Sequence, residues 1–169
     1  GLATGGRGYK QASDALEQAG QWLKRGGQEQ KELHFTLSHY KYRSELKQLM
    51  NSTAHLKIIH TYIKGLAEEV HLLPSHHIAA DWMIDVVEAT ADCIAIYGTN
   101  ALSDAECQSS LPDSLRRARE LQLASFSELQ GRCTLTTIRD LGAVFSHLNR
   151  LLEEVERAQY DTYSTAGSS

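Results

Sequence analysis

A long stretch without helix breakers constrains the fold of this chain more than any other feature of its sequence. Between Gln28 and Leu73 there is no proline, and Gly65 is the only glycine. We expect one helix here of about 45 residues, about 68 Å long, or two helices that break near Asn51 and Thr53, where polar side chains compete for backbone hydrogen bonds. Its apolar and semi-apolar residues recur at spacings of four and three, a heptad seam, and they are Phe35, His39, Tyr42, Leu46, Leu49, Thr53, Leu56, His60 and Ile63.

Four further helices are predicted from periodicity and from their start and stop signals. The first begins at Tyr9 and ends or kinks at Gly26-Gly27. Another covers about 75–97 and is apolar around most of its circumference, which is typical of a central, buried helix. The next covers 112–130, with Pro112 at its first position. The last begins at Thr134 or Thr136, and its seam is Ile138, Leu141, Phe145, Leu148, Leu152 and Val155.

These segments predict an all-α fold: an elongated antiparallel helical bundle of four to five helices, with one long helix that is either straight or kinked. The chain of 169 residues has the length of one domain. We expect a flexible glycine-rich start over 1–8, a single bundle domain over 9–160 and a polar tail over 161–169.

The cysteines and the hydropathy favour a soluble protein of a reducing compartment, and we expect it to be cytoplasmic. Cys93, Cys107 and Cys133 show no CxxC spacing, so a disulfide framework is not indicated. No apolar run approaches the length of a membrane span. The chain begins with Gly rather than Met, which leaves a processed or secreted origin open.

Charge is distributed unevenly along the chain. Residues 1–64 contain ten Lys and Arg against five Asp and Glu, whereas the remainder contains seven against sixteen. This asymmetry indicates that a basic helix and an acidic helix lie side by side. The net charge of −4 argues against nucleic acid as a partner, because a phosphate footprint needs clustered positive charge.

An acidic stripe runs along the helix expected over 75–97, which contains no Lys or Arg to neutralise it. Because the connection at Pro74 is short, we expect this helix to pack antiparallel on the preceding one. Such exposed ion pairs contribute only about 0–1 kcal/mol each but set the register. The alternative is that the stripe faces solvent and binds a basic partner or a cation. The stripe is Asp81, Asp85, Glu88 and Asp92, and the predicted pairs are Lys57 with Asp92, His60 with Glu88, and Lys64 with Asp85.

The same hairpin would collect four possible metal ligands at its turn. Glu68 and His71 share a face of one helix, and His77 and Asp81 share a face of the next. Two imidazoles and two carboxylates suit Zn²⁺ or Fe²⁺. A ferritin-like di-iron site would need further inward glutamates and histidines, and the last two helices offer only His147. We therefore expect no cofactor unless this site holds a divalent metal.

No catalytic motif stands out, so we expect a non-enzymatic interaction or scaffold protein. A helix longer than its domain commonly extends a seam to another chain, which predicts self-association or a role as a subunit of a larger assembly. The expected contact surface uses Phe35, Tyr42, Leu46 and Leu49. The metal-binding bundle is the first alternative function.

A second alternative is association with a membrane surface through the basic N-terminal helices. It would use outward lysines and an arginine, whose attraction to anionic lipid is screened by salt. These residues are Lys41, Arg43, Lys47, Lys57 and Lys64.

Overall fold

A computed structural model describes the backbone of residues 2–36, 43–73, 81–102, 110–132 and 135–166, and the side chains of most of them. Within these ranges the chain forms five helices and no strand, which confirms the predicted all-α bundle. They are α1 (Leu2–Thr36), α2 (Arg43–Leu72), α3 (Asp81–Leu102), α4 (Leu111–Arg132) and α5 (Leu135–Ala166).

The stretch predicted as one long helix is divided between α1 and α2, and neither expected break occurs. Helix α1 continues through Gly26 and Gly27 to Thr36, and α2 runs from Arg43 through Asn51 and Thr53. Glycine weakens a helix by only about 1 kcal/mol, which packing against a neighbouring helix offsets. The Thr53 hydroxyl donates to the carbonyl oxygen of Leu49 at 2.8 Å, one turn back in the same helix, and does not interrupt it.

The expected ends of the other helices are extended in the structure. Helix α1 begins at Leu2, so the glycine-rich start lies within its first turns rather than outside the helix. Helix α3 passes through Gly98, where we expected it to stop, and α5 continues to Ala166. The expected start of α3, over residues 75–80, lies outside the described residues.

Helix α5, rather than α3, is the central helix of the bundle. It packs against α2, α3 and α4, and four of its predicted seam residues are at most 2% exposed: Leu141, Leu148, Leu152 and Val155. Each such side chain stabilises the fold by about 1.5–3 kcal/mol through removal from water. In α3, by contrast, one face is buried through residues such as Val86 and Cys93, whereas Ile84 is 47% exposed. The prediction that α3 is buried around most of its circumference is therefore wrong.

A buried polar network joins α2 to α5. The ring nitrogens of His55 lie 2.7 Å from Oε1 of Glu154 and 3.1 Å from Oδ2 of Asp161. A carboxylate oxygen accepts hydrogen bonds, so each ring nitrogen that carries a hydrogen can donate it to the carboxylate that it faces. Arg157 donates to the other oxygen of Glu154 at 3.1 Å. Glu154 is only 3% exposed, and its two carboxylate oxygens are contacted by different partners, His55 and Arg157, as a buried carboxylate requires.

Candidate functional site

Helices α2, α3, α4 and α5 pack on one another and form the bundle proper. Helix α1 lies on its outside and packs along α2 in the antiparallel direction. Near the start of α1, the ring of Tyr9 stacks on His71 near the end of α2, with 3.9 Å between the ring centroids. Farther along α1, the amide of Gln30 donates to the Thr53 hydroxyl at 2.7 Å, and both residues are buried. These contacts are polar or aromatic rather than aliphatic. We call this contact surface the α1–α2 seam.

The middle of the seam depends on a glycine. His60 Nε2 lies 2.6 Å from the carbonyl oxygen of Leu16, and because a carbonyl only accepts, Nε2 carries the hydrogen. The ring held in this way lies directly against Gly20, where a Cβ would come within 3.1 Å of His60 Cε1. A larger residue at position 20 would therefore compete with the hydrogen bond that joins the two helices.

A second glycine, two turns farther along α1, makes room for a lysine. A Cβ on Gly27 would clash with the ammonium group of Lys57, whereas a Cβ on Gly26 would meet nothing within 4 Å. Adjacent glycines thus have different roles, because only Gly27 faces α2. Gly20 and Gly27 are seven residues apart, the spacing that returns to the same helix face.

Two adjoining cavities lie along one flank of the seam. Their volumes are about 410 and 490 Å³, and both are lined by Gly20, Lys24 and His60. The 410 Å³ cavity extends toward Tyr9 and the 490 Å³ cavity toward Lys31. Volumes of this size are typical of small-molecule sites between helices.

Positive charge is concentrated around these cavities. Lys24, Lys31 and Lys57 have no carboxylate within 4.0 Å among the described residues, and Lys64 lies 4.0 Å from Glu68 of its own helix. The chain as a whole carries a net charge of −4. The part of the seam around the 490 Å³ cavity is therefore a local basic region on an acidic protein.

The heptad seam predicted in the long stretch packs in part against another helix of the same chain, α1. From position 46 onward its residues belong to α2, and two of them, Thr53 and His60, contact α1 directly. Leu46 is half-buried, and Leu49 is 47% exposed. Phe35 is in α1 but its side chain is not among those described, and Tyr42 lies outside the described residues. Because α1 continues past Gly27, the chain itself supplies a helix for a seam that we expected to bind another chain.

Among the side chains that the structure describes, the three predicted pairs between α2 and α3 are not within ion-pair distance. The α2 residues lie toward α1 instead: Lys57 faces Gly27, His60 binds Leu16 and Lys64 lines the 410 Å³ cavity. The prediction assumed that α2 packs mainly on the helix that follows it, whereas α2 packs mainly on α5 and α1, and α3 on α4 and α5.

The acidic stripe of α3 faces solvent where the structure describes it. Asp85, Glu88 and Asp92 are exposed, and none of them forms an ion pair within the described part of the chain. Asp81 is the first residue of α3, and its side chain is not described.

The metal hypothesis concerns residues that are only partly described. His71 is exposed and stacks on Tyr9, and Glu68 is exposed beside Lys64. His77 and the side chain of Asp81 lie outside the described residues. Among the side chains that the structure describes, no group of three or more His, Cys, Asp or Glu could hold a metal ion. The four-ligand site thus stays a prediction.

Sequence reasoning did not identify the residues that shape the seam. Gly20, Gly27 and Gln30 repeat at spacings of seven and three, which continues the series of Leu16 and Leu23. Lys24 and Lys31 share the seven-residue spacing of Lys57 and Lys64. This shared seven-residue period was the one signal in the sequence that could have indicated the contact between α1 and α2. It could be recognised only if α1 was expected to extend beyond Gly27.

No protein-family model, curated protein or solved structure matches this chain. Its function has to be inferred from its own residues.

Proposed function

We propose that the protein is a non-enzymatic interaction protein that self-associates, or joins a larger assembly, through the outward face of α1. The observation that supports this is the exposure of two large apolar side chains on α1: Trp22 is 70% exposed and Leu33 is 47% exposed. Tryptophan is enriched among the residues that dominate binding energy in protein interfaces.

Trp22 and Leu33 form part of a stripe on one helix face. They are eleven residues apart, about three turns or about 16 Å along the helix. The stripe continues toward the start of α1 through small, exposed residues at spacings of three and four, namely Ala12, Ala15 and Ala19. Small residues next to the large ones permit a second helix to approach closely, and the spacing is that of a heptad seam.

The contact surface predicted from the sequence is compatible with this face. The carbonyl oxygen of Leu49 lies 3.5 Å from the amide of Gln30, so Leu49 is adjacent to the part of α1 that carries Leu33. With 47% of its surface exposed, Leu49 extends the apolar face onto α2. Leu46 is half-buried and contributes less.

No described helix is both long and apolar enough to cross a membrane. Of the lysines predicted to face a membrane surface, Lys57 and Lys64 line the cavities of the seam. The outward apolar face of α1 favours a protein partner instead.

Native mass spectrometry together with light scattering tests this proposal. We expect the wild type to form a dimer or larger complex, and the double variant Trp22→Asp, Leu33→Asp to be monomeric with unchanged helicity. The matched control is Leu123→Asp, which places a charge at a 69% exposed leucine of α4 and should leave the complex intact.

Either of two results would contradict self-association: a monomeric wild type, or a double variant that retains the wild-type mass. For a monomeric wild type, crosslinking at position 22 in the native cell extract tests the role as a subunit of a larger assembly. Failure to crosslink a specific protein there would reject the interaction proposal as a whole.

A further inference from the structure

We infer that the 490 Å³ cavity of the α1–α2 seam is a binding site for a compact polyanion that carries phosphate groups. Three of its lining residues are lysines, Lys24 and Lys31 from α1 and Lys57 from α2. No carboxylate is among the described residues that line it. A cavity with ammonium groups on both walls and no internal counter-charge is suited to a ligand with several negative charges.

The neighbouring 410 Å³ cavity shows why the site is confined to this half of the seam. Glu17 and Glu68 line that cavity, and Glu68 lies 4.0 Å from Lys64. Glu68 partly offsets the charge of Lys64, and both carboxylates repel an anion. The lysines of the 490 Å³ cavity have no such partner among the described residues.

The backbone of α1 creates the space. Gly27 lacks the Cβ that would displace the ammonium group of Lys57, and His60 is held against Gly20 by its bond to the Leu16 carbonyl. The wall formed by His60 is therefore fixed, while the lysine side chains can adjust to the ligand. Thr61 and Gln28 add neutral polar groups to the lining.

The lining also limits the class of ligand. No Phe, Tyr or Trp lines the 490 Å³ cavity, so it offers no aromatic surface on which a nucleobase could stack. Lysine binds phosphate as a point charge without the fixed geometry of arginine. The phosphate groups themselves, rather than an attached base, are thus the part that the cavity recognises. The volume suits a small molecule.

Isothermal titration calorimetry of the full chain with inorganic tripolyphosphate tests the site. We expect saturable binding at one site, weakened at least tenfold in Lys24→Gln, Lys57→Gln, which removes two charges but retains residues that favour helix. The matched control Lys10→Gln, Arg117→Gln removes two exposed charges outside the cavity and should stay within twofold of the wild type.

The adjacent glycines give a second matched pair that does not alter charge. Gly27→Ala should displace Lys57 and weaken tripolyphosphate binding severalfold, whereas Gly26→Ala should leave it unchanged, because nothing lies within 4 Å of that position. Circular dichroism of each variant establishes that it is folded.

Vesicles distinguish a lipid headgroup from a free phosphate compound. If the protein co-sediments with vesicles containing phosphatidylinositol 4,5-bisphosphate but not with phosphatidylcholine alone, and tripolyphosphate competes, the site binds a lipid headgroup. Tripolyphosphate binding without co-sedimentation identifies a free phosphate compound. Both results support the site, provided that the lysine variant is defective.

Three results would overturn the inference: no saturable tripolyphosphate binding, equal affinity of the wild type and the Lys24, Lys57 variant, or binding only of an acidic helical peptide. The site is independent of the outward face of α1. The variant Trp22→Asp, Leu33→Asp should therefore bind tripolyphosphate like the wild type, and its oligomeric state tests the proposed function separately.

Discussion

The α2–α5 bundle and the α1–α2 seam are both built from antiparallel helices, but they hold those helices together by different means. In the bundle, fully buried side chains such as Leu148, Leu152 and Val155 exclude water. In the seam, the closest contacts involve glycine and polar groups, as at Gly20 and His60. The apolar surface that α1 removes from water is correspondingly small.

This difference indicates that stability lies mainly in the bundle, apart from the region to which we assign recognition by proposal. Hydrophobic burial scales with apolar area, so the bundle holds most of the free energy of folding. A neutral hydrogen bond contributes only about 0.5–1.5 kcal/mol net, so a seam made of a few such bonds holds α1 weakly. Elements with few buried apolar contacts open at lower free energy than the core, which suits a surface that binds partners.

The largest expected effect is the loss of a core leucine. Leu152 is 0% exposed, and Leu152→Ala should lower the free energy of unfolding by about 2–5 kcal/mol, since both transfer energy and a cavity are involved. The same truncation in the seam, Leu23→Ala, should cost about 1 kcal/mol or less, because Leu23 is only half-buried.

Urea unfolding followed by circular dichroism measures both variants. Equal losses for Leu152→Ala and Leu23→Ala would show that α1 is part of the cooperative core, and the distinction between the two regions would then be wrong.

The helical bundle could be predicted because its signals are local and repeated. The seam residues of α5 from Leu141 to Val155 follow the heptad spacing, and the structure buries all of them except Phe145, which is half-buried. The end of α1 could not be predicted from the sequence. Gly26 and Gly27 have a weak helix propensity, but packing between helices outweighs it, because Gly27 lies against Lys57 of another helix.

The candidate site was less accessible to sequence reasoning than the fold. The sequence places its lysines in a basic stretch of the chain. Their neighbours, however, depend on which helix α2 packs against, and the short connection at Pro74 predicted that this helix would be α3. The network of His55 and Glu154 joins residues 99 positions apart. Neither spacing nor composition indicates such a contact, which exists only because α2 and α5 are adjacent.

Effects of intermediate size on the free energy of unfolding are expected for two glycine-to-alanine substitutions, and they have opposite signs. Gly65 lies under His147 of α5, and a Cβ there would come within 2.5 Å of the ring. Gly65→Ala should therefore destabilise by about 1–3 kcal/mol through overpacking, despite the gain in helix propensity. Gly142→Ala, with nothing within 4 Å, should stabilise by about 0.5–1 kcal/mol.

Thermal unfolding of Gly65→Ala and Gly142→Ala measures the two signs. A stabilised Gly65→Ala variant would mean that α2 and α5 are not as closely packed at this point as the position of His147 requires.

The smallest expected effect at neutral pH comes from the ionisation of buried side chains in the bundle. It changes the free energy of unfolding only in alkaline solution. Burial raises the pKa of the Cys93 thiol from 9.0 to about 11, with a further contribution from Asp92, and burial also raises the pKa of Tyr97. As the pH rises, the unfolded chain releases the Cys93 proton first and so binds fewer protons than the folded chain. The stabilisation is therefore complete below about pH 9 and is lost as the pH rises toward about 11.

Urea midpoints measured between pH 7 and about pH 11 test this for the wild type and for Cys93→Ala. The variant has a cavity and should be less stable at every pH, but its stability should fall less steeply in alkaline solution because one of the two buried groups is absent. Parallel curves would show that the Cys93 thiol ionises equally readily in the folded and unfolded chain. Because the described seam contains no cysteine, any difference in slope reports on the bundle alone and separates its stability from that of α1.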